Sequence, residues 1–197
     1  MNEYKNIIAL ITIAIAIVSY VPYFRDILSG KTKPHAFTWL IWAILNGIAF
    51  SGQLYDKGGA GAWPLGFTTV VTFVIFFLAL KKGEKNIKLF DWLCLGATVL
   101  ALISWFLADS PLLSIIIVSA VDLIGFLPTV RKVYSKPYEE TLSTHILSTL
   151  KYGLILVALE TYTILTTLFP LVIFIADGLL VVLIIIRRRR AAETVNS

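Results

Sequence analysis

Residues 21–46, VPYFRDILSGKTKPHAFTWLIWAILN, have an echo at residues 127–149, LPTVRKVYSKPYEETLSTHILST. Pro22 and Arg25 answer Pro128 and Arg131 at a shift of 106, and Pro34 and Thr38 answer Pro137 and Thr141 at a shift of 103. The shift returns to 106 where Trp63-Pro64 answers Phe169-Pro170 and Lys81 answers Arg187. Identity is low, yet the punctuation stays in register across both copies. A repeat of this length is a structural unit that occurs twice, and the fold follows from how the copies are joined.

The rest of the composition says what the units are made of. Of the 197 residues, 58% are hydrophobic and 15% charged, against about 45–50% and about 25% in a soluble domain. That is an integral membrane composition. The net charge of +5 is explained by orientation and not by nucleic acid, because the basic residues sit in short loops between apolar runs. A single Cys94 excludes an intrachain disulfide framework and a multi-cysteine metal site; lying in an apolar run, it reads as a packing residue. The apolar run after the weakly basic MNEYK start is too long for a signal-peptide core and reads as a retained helix.

Seven apolar segments are expected to cross about 30 Å of hydrocarbon as helices: 7–28, 37–54, 63–80, 89–107, 111–133, 141–159 and 162–186. Helices are required because a lone strand in lipid leaves its backbone unpaired. Arg25, Lys31 and Lys33, then Lys81, Lys82, Lys85 and Lys88, then Arg131, Lys132 and Lys136, then Arg187 to Arg190 fall on alternate connections, leaving only Lys5, Lys57 and Lys151 elsewhere. With seven spans all four clusters share one face, which predicts a cytoplasmic C-terminus and an N-terminus outside the cell membrane. The repeat covers spans one to three and five to seven, and span four is unmatched. That odd linker restores the orientation of the second copy, so the halves are parallel repeats about an axis along the membrane normal. The expected fold is an all-α integral membrane bundle of 3+1+3 helices: 1–82 the first repeat, 83–110 the linker helix, 111–190 the second repeat, and 191–197 a cytoplasmic tail.

Pro22 with Arg25 and Thr32-Lys33-Pro34, and again Pro128 with Arg131 and Lys136-Pro137, close a first helix and open a second in each copy. In these residues and in topology over nearly the whole chain, the sequence resembles the SWEET and PQ-loop superfamily of transporters. It departs from the namesake motif in having Tyr23 and Thr129 where Gln follows Pro. A nicotinamide-riboside-type vitamin transporter is similar in architecture. Each proline removes a backbone hydrogen bond and bends its helix, and the resemblance implies that Pro22 and Pro128 serve as hinges.

Three charges lie at one depth: Asp122 midway along span five, Lys151 midway along span six, and Asp177 just past the middle of span seven. Each costs on the order of 3 kcal/mol at that depth, so they should pair or line a wet cavity. Lys151 with one carboxylate is the economical pairing, leaving the other for a proton, a cation or a substrate amine. A structural ion pair is the plainer alternative. Their counterparts in the first half, Ala16 and Val71, are apolar. At helical spacing Thr141, Thr144, His145, Ser148, Thr149, Lys151 and Tyr152 share an arc of about 160°, with Leu147, Leu150, Gly153 and Leu154 on the other side. Such a stripe should face the bundle interior. His145 is read either as a gate or as a structural hydrogen-bonding residue. On span two Trp39, Trp42 and Asn46 share an arc of about 60°. Trp42 and Asn46 are expected in the cavity, while Trp39 fits either the cavity or an interfacial belt. Thr68, Thr69 and Thr72 extend this wall or bond their own backbone, and Trp63 and Trp105 read as belt residues.

Parts for an enzyme are missing. His35 and His145 lack metal-ligand spacing, and there is no phosphate-cradling Gly-rich loop or G-x-S-x-G turn. No catalytic residue, metal or cofactor is expected. The four arginines read as a topology anchor with attraction for anionic lipid. The expected function is transport of a small polar solute, a sugar or an amino-acid-like metabolite, by alternating access. The expected substrate-binding residues are Trp42, Asn46, His145, Ser148 and Lys151, with Asp122, Lys151 and Asp177 coupling protons or forming an ion pair. Membrane lipid is the other expected partner, nucleic acid is not, and a homo-oligomer is compatible. A non-transporting receptor or scaffold of the same fold is the alternative, and an assembly subunit a third.

Overall fold

The computed structural model describes residues 3–30, 34–83, 89–107, 109–135, 137–139 and 142–196, with their side chains except those of residues 128, 131, 132, 139 and 193–196. Lys31, Thr32, Lys33, Lys85, Lys88, Lys136 and Thr141 lie outside the described residues, as do the side chains of Pro128, Arg131 and Lys132. Among the described residues there are seven α-helices and no strand: α1 (Glu3–Leu28), α2 (Ala36–Tyr55), α3 (Trp63–Lys82), α4 (Leu89–Phe106), α5 (Pro111–Ser135), α6 (Leu142–Ala158) and α7 (Ile164–Asn196). Short 3₁₀ turns, Gly59–Ala62 and Pro137–Glu139, lead into α3 and α6.

Five helices, α1 to α4 and α7, are long and apolar enough to cross a membrane. Of the other two expected spans, α6 runs only Leu142–Ala158, while α5 spans Pro111–Ser135 and is apolar over Pro111–Leu127, where its continuous described side chains end. At about 1.5 Å per residue, 17 residues cover roughly 26 Å of a core about 30 Å thick. These are also the helices that carry Asp122, His145 and Lys151. Residues 191–196, expected as a tail, continue the last helix, since α7 runs through Arg187–Arg190 to Asn196.

The helix ends follow local chemistry. Gly30, at a φ of +75°, stops α1 while Ser29 and Gly30 donate back to the carbonyls of Arg25 and Ile27, a left-handed cap that glycine adopts without strain. Pro64 sits in the first turn of α3, where its missing N–H is no loss. Pro22 lies inside α1, which continues past it to Leu28, and Pro128 falls within the span of α5.

Packing is reciprocal. In the first triplet α3 contacts both α1 and α2, and in the second α7 contacts both α5 and α6. Between triplets, α1 packs on α6 and α2 on α5, so the first helix of each meets the second helix of the other. The remaining helix, α4, lies against α5 and α2, tied there by the Ser104–Ser114 hydroxyl pair at 2.8 Å and by Ser114 donating to the Ala101 carbonyl at 2.6 Å. Cys94 packs at the edge of the core formed by α2 to α7. Polarity is inverted relative to a protein folded in water. Leu10, Val18, Leu93, Leu100 and Leu179 are exposed, while Thr12, Gln53, Thr68, Thr72, Thr98, Ser114 and Thr166 are buried. A contiguous apolar exterior of this extent suits hydrocarbon.

The two ends of the bundle differ. At the end where α1 begins, the triplets are joined. Lys5, buried, donates to the Leu159 carbonyl; Gln53 Nε2 donates to the Thr166 carbonyl at 2.8 Å; Glu160 N donates to the Gly58 carbonyl at 2.9 Å; and Thr163 donates to the Asp56 carboxylate. Gly61 lies so close to α6 that a Cβ there would meet Leu159 N at 2.7 Å. At the opposite end, which carries the arginines, the hydrogen bonds from Lys82 to the Leu28 carbonyl and from Arg188 Nε to the Pro137 carbonyl, both at 3.0 Å, each stay inside one triplet.

Candidate functional site

Between the triplets lies a half-open cavity of about 570 Å³, within the usual range of about 300–1,000 Å³ for small-molecule sites. Six helices and the Pro34–His35 segment line it, and among the described residues α4 contributes nothing. Its lining starts at mid-helix, at Asn46, Asp122 and Asp177, and reaches Tyr23, Pro34 and His35 at the arginine end.

One wall is aromatic. From α2, Thr38, Trp39, Trp42 and Asn46 face in at successive helical turns, and from α1, Ala16, Ser19, Tyr20 and Tyr23 do. Trp39 is not an interfacial belt residue. It is buried, 5.1 Å from the Tyr23 ring, 6.5 Å from Tyr20, and edge-on to Trp42 at 5.2 Å. Trp42 keeps 42% of its surface exposed, which is how a cavity-facing ring differs from a packed one. Thr68 and Thr72 line the floor and also donate to their own helix, to the carbonyls of Pro64 and Thr68. Thr69 donates to Leu65. Near the closed end, Trp63 is exposed as a belt residue would be, while Trp105 packs on Tyr55.

The other wall is charged. Thr144, His145, Leu147, Ser148, Lys151 and Tyr152 of α6 face the cavity, with Asp122 and Phe126 of α5 and Asp177 and Ile173 of α7. The stripe on α6 is turned by one position from its expected place. Leu147, expected on the far side, lines the cavity, and Thr149 instead lies beside Gly178 of α7 and donates to the His145 carbonyl. Leu147 lies only about 40° beyond Lys151 on the helical wheel, so a small rotation of α6 exchanges the two edges.

The three mid-depth charges do not pair as expected. His145 Nδ1 is 2.7 Å from Asp177 Oδ1. A carboxylate can only accept, so Nδ1 carries the proton. Lys151 Nζ sits 4.5 Å from the centre of the Tyr152 ring, and among the described residues no carboxylate lies within ion-pair distance of it. Asp122, 8% exposed, receives no hydrogen bond from a described residue. The histidine took the carboxylate because it lies about two turns below Lys151 on α6, level with Asp177. Asn46 bridges the triplets more loosely. Its Nδ2 donates to the Trp42 carbonyl at 2.8 Å and its Oδ1 accepts from Tyr152 at a long 3.4 Å.

The structure thus places Trp42, Asn46, His145, Ser148, Lys151, Asp122 and Asp177 around one cavity. Pro22 does not line it, and the side chain of Pro128 lies outside the described residues. The sequence reading passed over Tyr20, Tyr23 and Thr38, although Tyr20 and Tyr23 stand three apart, facing Trp39 and Trp42. His35, outside the α2 stripe, also lines the cavity, with Nδ1 3.1 Å from Thr38 Oγ1 and Nε2 3.7 Å from Asp91 of α4. No group of three His, Cys, Asp or Glu among the described residues is arranged to hold a metal ion. No protein-family model, curated protein or solved structure matches this chain, so the meaning of the cavity rests on its own side chains.

Proposed function

We propose that this protein is a membrane transporter that moves a small polar solute by alternating access between two three-helix halves. The observation that carries the reading is the cavity itself: it lies between the triplets, is lined by both, excludes α4, and collects the charged residues of otherwise apolar helices. Charges at that depth are costly unless they face one another or a wet path. In this reading all seven helices cross the bilayer in a 3+1+3 arrangement, with the short α6 tolerated as a span because its polar stripe faces the interior. The reciprocal contacts of α1 with α6 and of α2 with α5 support the reading of two similar halves. The arginine end is cytoplasmic and the N-terminus outside.

The mechanism follows from the unequal ends. The outer end is held shut by the links from Lys5, Gln53 and Asp56 across to the α6–α7 connection and the first turn of α7, while the cavity reaches the cytoplasmic end. This is the inward-facing half of a cycle. Breaking the outer links and closing the inner end about Pro22 and Pro128 would present the same residues to the outside. A solute gains contacts in either state, and the two states exchange by rocking one triplet against the other.

Purified protein in liposomes, assayed for uptake of sugars and amino acids with and without a pH gradient, tests the proposal. Saturable uptake that is lost when Trp42 and Lys151 are replaced is the expected result. Uptake driven by the gradient in the native protein but not in Asp122→Asn or Asp177→Asn assigns proton coupling to those carboxylates. A cavity that labels from one side only, with no solute carried, rejects transport in favour of a receptor.

A further inference from the structure

We propose that the solute is a zwitterion of the α-amino-acid type with an apolar or aromatic side chain. Its ammonium group would sit on Asp122, its carboxylate on Lys151, and its side chain against the wall of Tyr20, Tyr23, Trp39 and Trp42. This rests on the reading of the cavity as a solute site and names what that site selects.

The argument is one of unmet charge. Asp177 is already held by His145 at 2.7 Å. Asp122 is more than nine-tenths buried, faces the cavity, and has no described donor. Lys151 faces the same cavity with only the Tyr152 ring beneath its ammonium group. A buried ion without a counter-ion is destabilising, so each of the two is improved by a partner of opposite sign. Among the described residues the two form no ion pair with each other, and both face the same cavity, so a ligand carrying both signs answers both. A simple cation would satisfy Asp122 and be repelled by Lys151. An anion would meet the converse, and a neutral sugar would neutralise neither.

The placement of the charges gives the ligand a direction. The counterpart of Asp122 in the first triplet is Ala16, which also lines the cavity, so the charged wall exists on one side only. Opposite it stand rings that hold one another in place, Trp39 between Tyr23 and Trp42. Such a surface suits a flat or apolar group, and an ammonium group near it gains further from the ring faces. A molecule with a doubly charged head and an apolar tail matches both walls at once.

The test uses the full chain in nanodiscs, read by tryptophan fluorescence and by thermal shift. The probes are L-phenylalanine, L-leucine, phenethylamine, 3-phenylpropionate and glucose. The native protein should bind phenylalanine about tenfold or more tightly than either single-charge analogue, since each charge-assisted hydrogen bond contributes on that scale. Asp122→Asn should weaken phenylalanine about tenfold or more and strengthen phenylpropionate, whose carboxylate is no longer repelled. Lys151→Gln should likewise weaken phenylalanine and strengthen phenethylamine. The analogue series on native protein needs no variant, so a variant that misfolds does not remove the test. Equal affinity for the single-charge analogues, binding of glucose alone, or binding of no probe at millimolar concentration overturns the proposal. Selective binding without uptake into liposomes would leave the ligand class standing and remove transport. Uptake of a neutral solute without zwitterion binding would do the reverse.

Discussion

Replacing Gly61 by alanine tests the outer closure with a single methyl group. The added Cβ would lie 2.7 Å from Leu159 N and 2.9 Å from both the Ala158 carbonyl carbon and Leu159 Cα. All three are backbone atoms, so no side chain can rotate away. Ordinary contact begins at 3.4 Å, and the turn before α3 must therefore move off the end of α6 by several tenths of an ångström. Overpacking of this kind costs about 1–3 kcal/mol. The cost falls on the outward-closed state and is relieved when the halves part there, so the population of the outward-open state should rise about fivefold to about a hundredfold. The assay is labelling of Ser148→Cys, in a Cys94→Ala background, by a membrane-impermeant maleimide added from the side of the N-terminus. Labelling from that side should be slow in the parent and faster by that factor in Gly61→Ala. If labelling stays slow while the protein is only less heat-stable, the contact is static packing and the reasoning about gating is wrong.

Three further outcomes are expected. His145→Leu leaves the buried Asp177 carboxylate without its partner and should destabilise the protein by about 3–5 kcal/mol, read as a lower unfolding temperature in detergent, with most of the loss recovered in the His145→Leu/Asp177→Leu pair. Lys5→Met keeps the length of the side chain but removes the donor to Leu159, and should raise outer-side labelling of Ser148→Cys in the same direction as Gly61→Ala, by an amount nearer 1 kcal/mol; unchanged labelling would remove Lys5 from the closure. Ala16→Asp puts a second carboxylate on the cavity wall opposite Asp122, at a cost on the order of 3 kcal/mol, and should weaken binding of 3-phenylpropionate measured by thermal shift.

Helix positions were legible in the chain because the apolar runs are long and their ends are marked by Pro, Gly and basic residues. The cavity residues were legible for a different reason. Asp122, Lys151 and Asp177 have nowhere inexpensive to go in an apolar helix, so their inward direction follows from cost alone. What they touch does not. His145 and Asp177 are 32 residues apart, and their meeting depends on the relative height of α6 and α7, which no periodicity reports. The edge of the α6 stripe was misjudged between Leu147 and Thr149 because a wheel fixes angular order and not the rotation of the whole helix. The outer closure was invisible for a simpler reason. Lys5, Gln53 and Glu160 bind main-chain carbonyls, and a carbonyl is present at every residue. Gln53, a polar residue near the end of the apolar second span, is one of the links.

The last helix has a consequence of its own. At 33 residues it is about 50 Å long, and its four successive arginines point to four compass bearings about 100° apart. Two of them lie over the rings of Tyr134 and Tyr138, beside the start of α6. A rod collared on every side can neither sink nor spin without dragging a guanidinium into oil. It is the mast of its triplet, and in the proposed cycle the other triplet does the swinging.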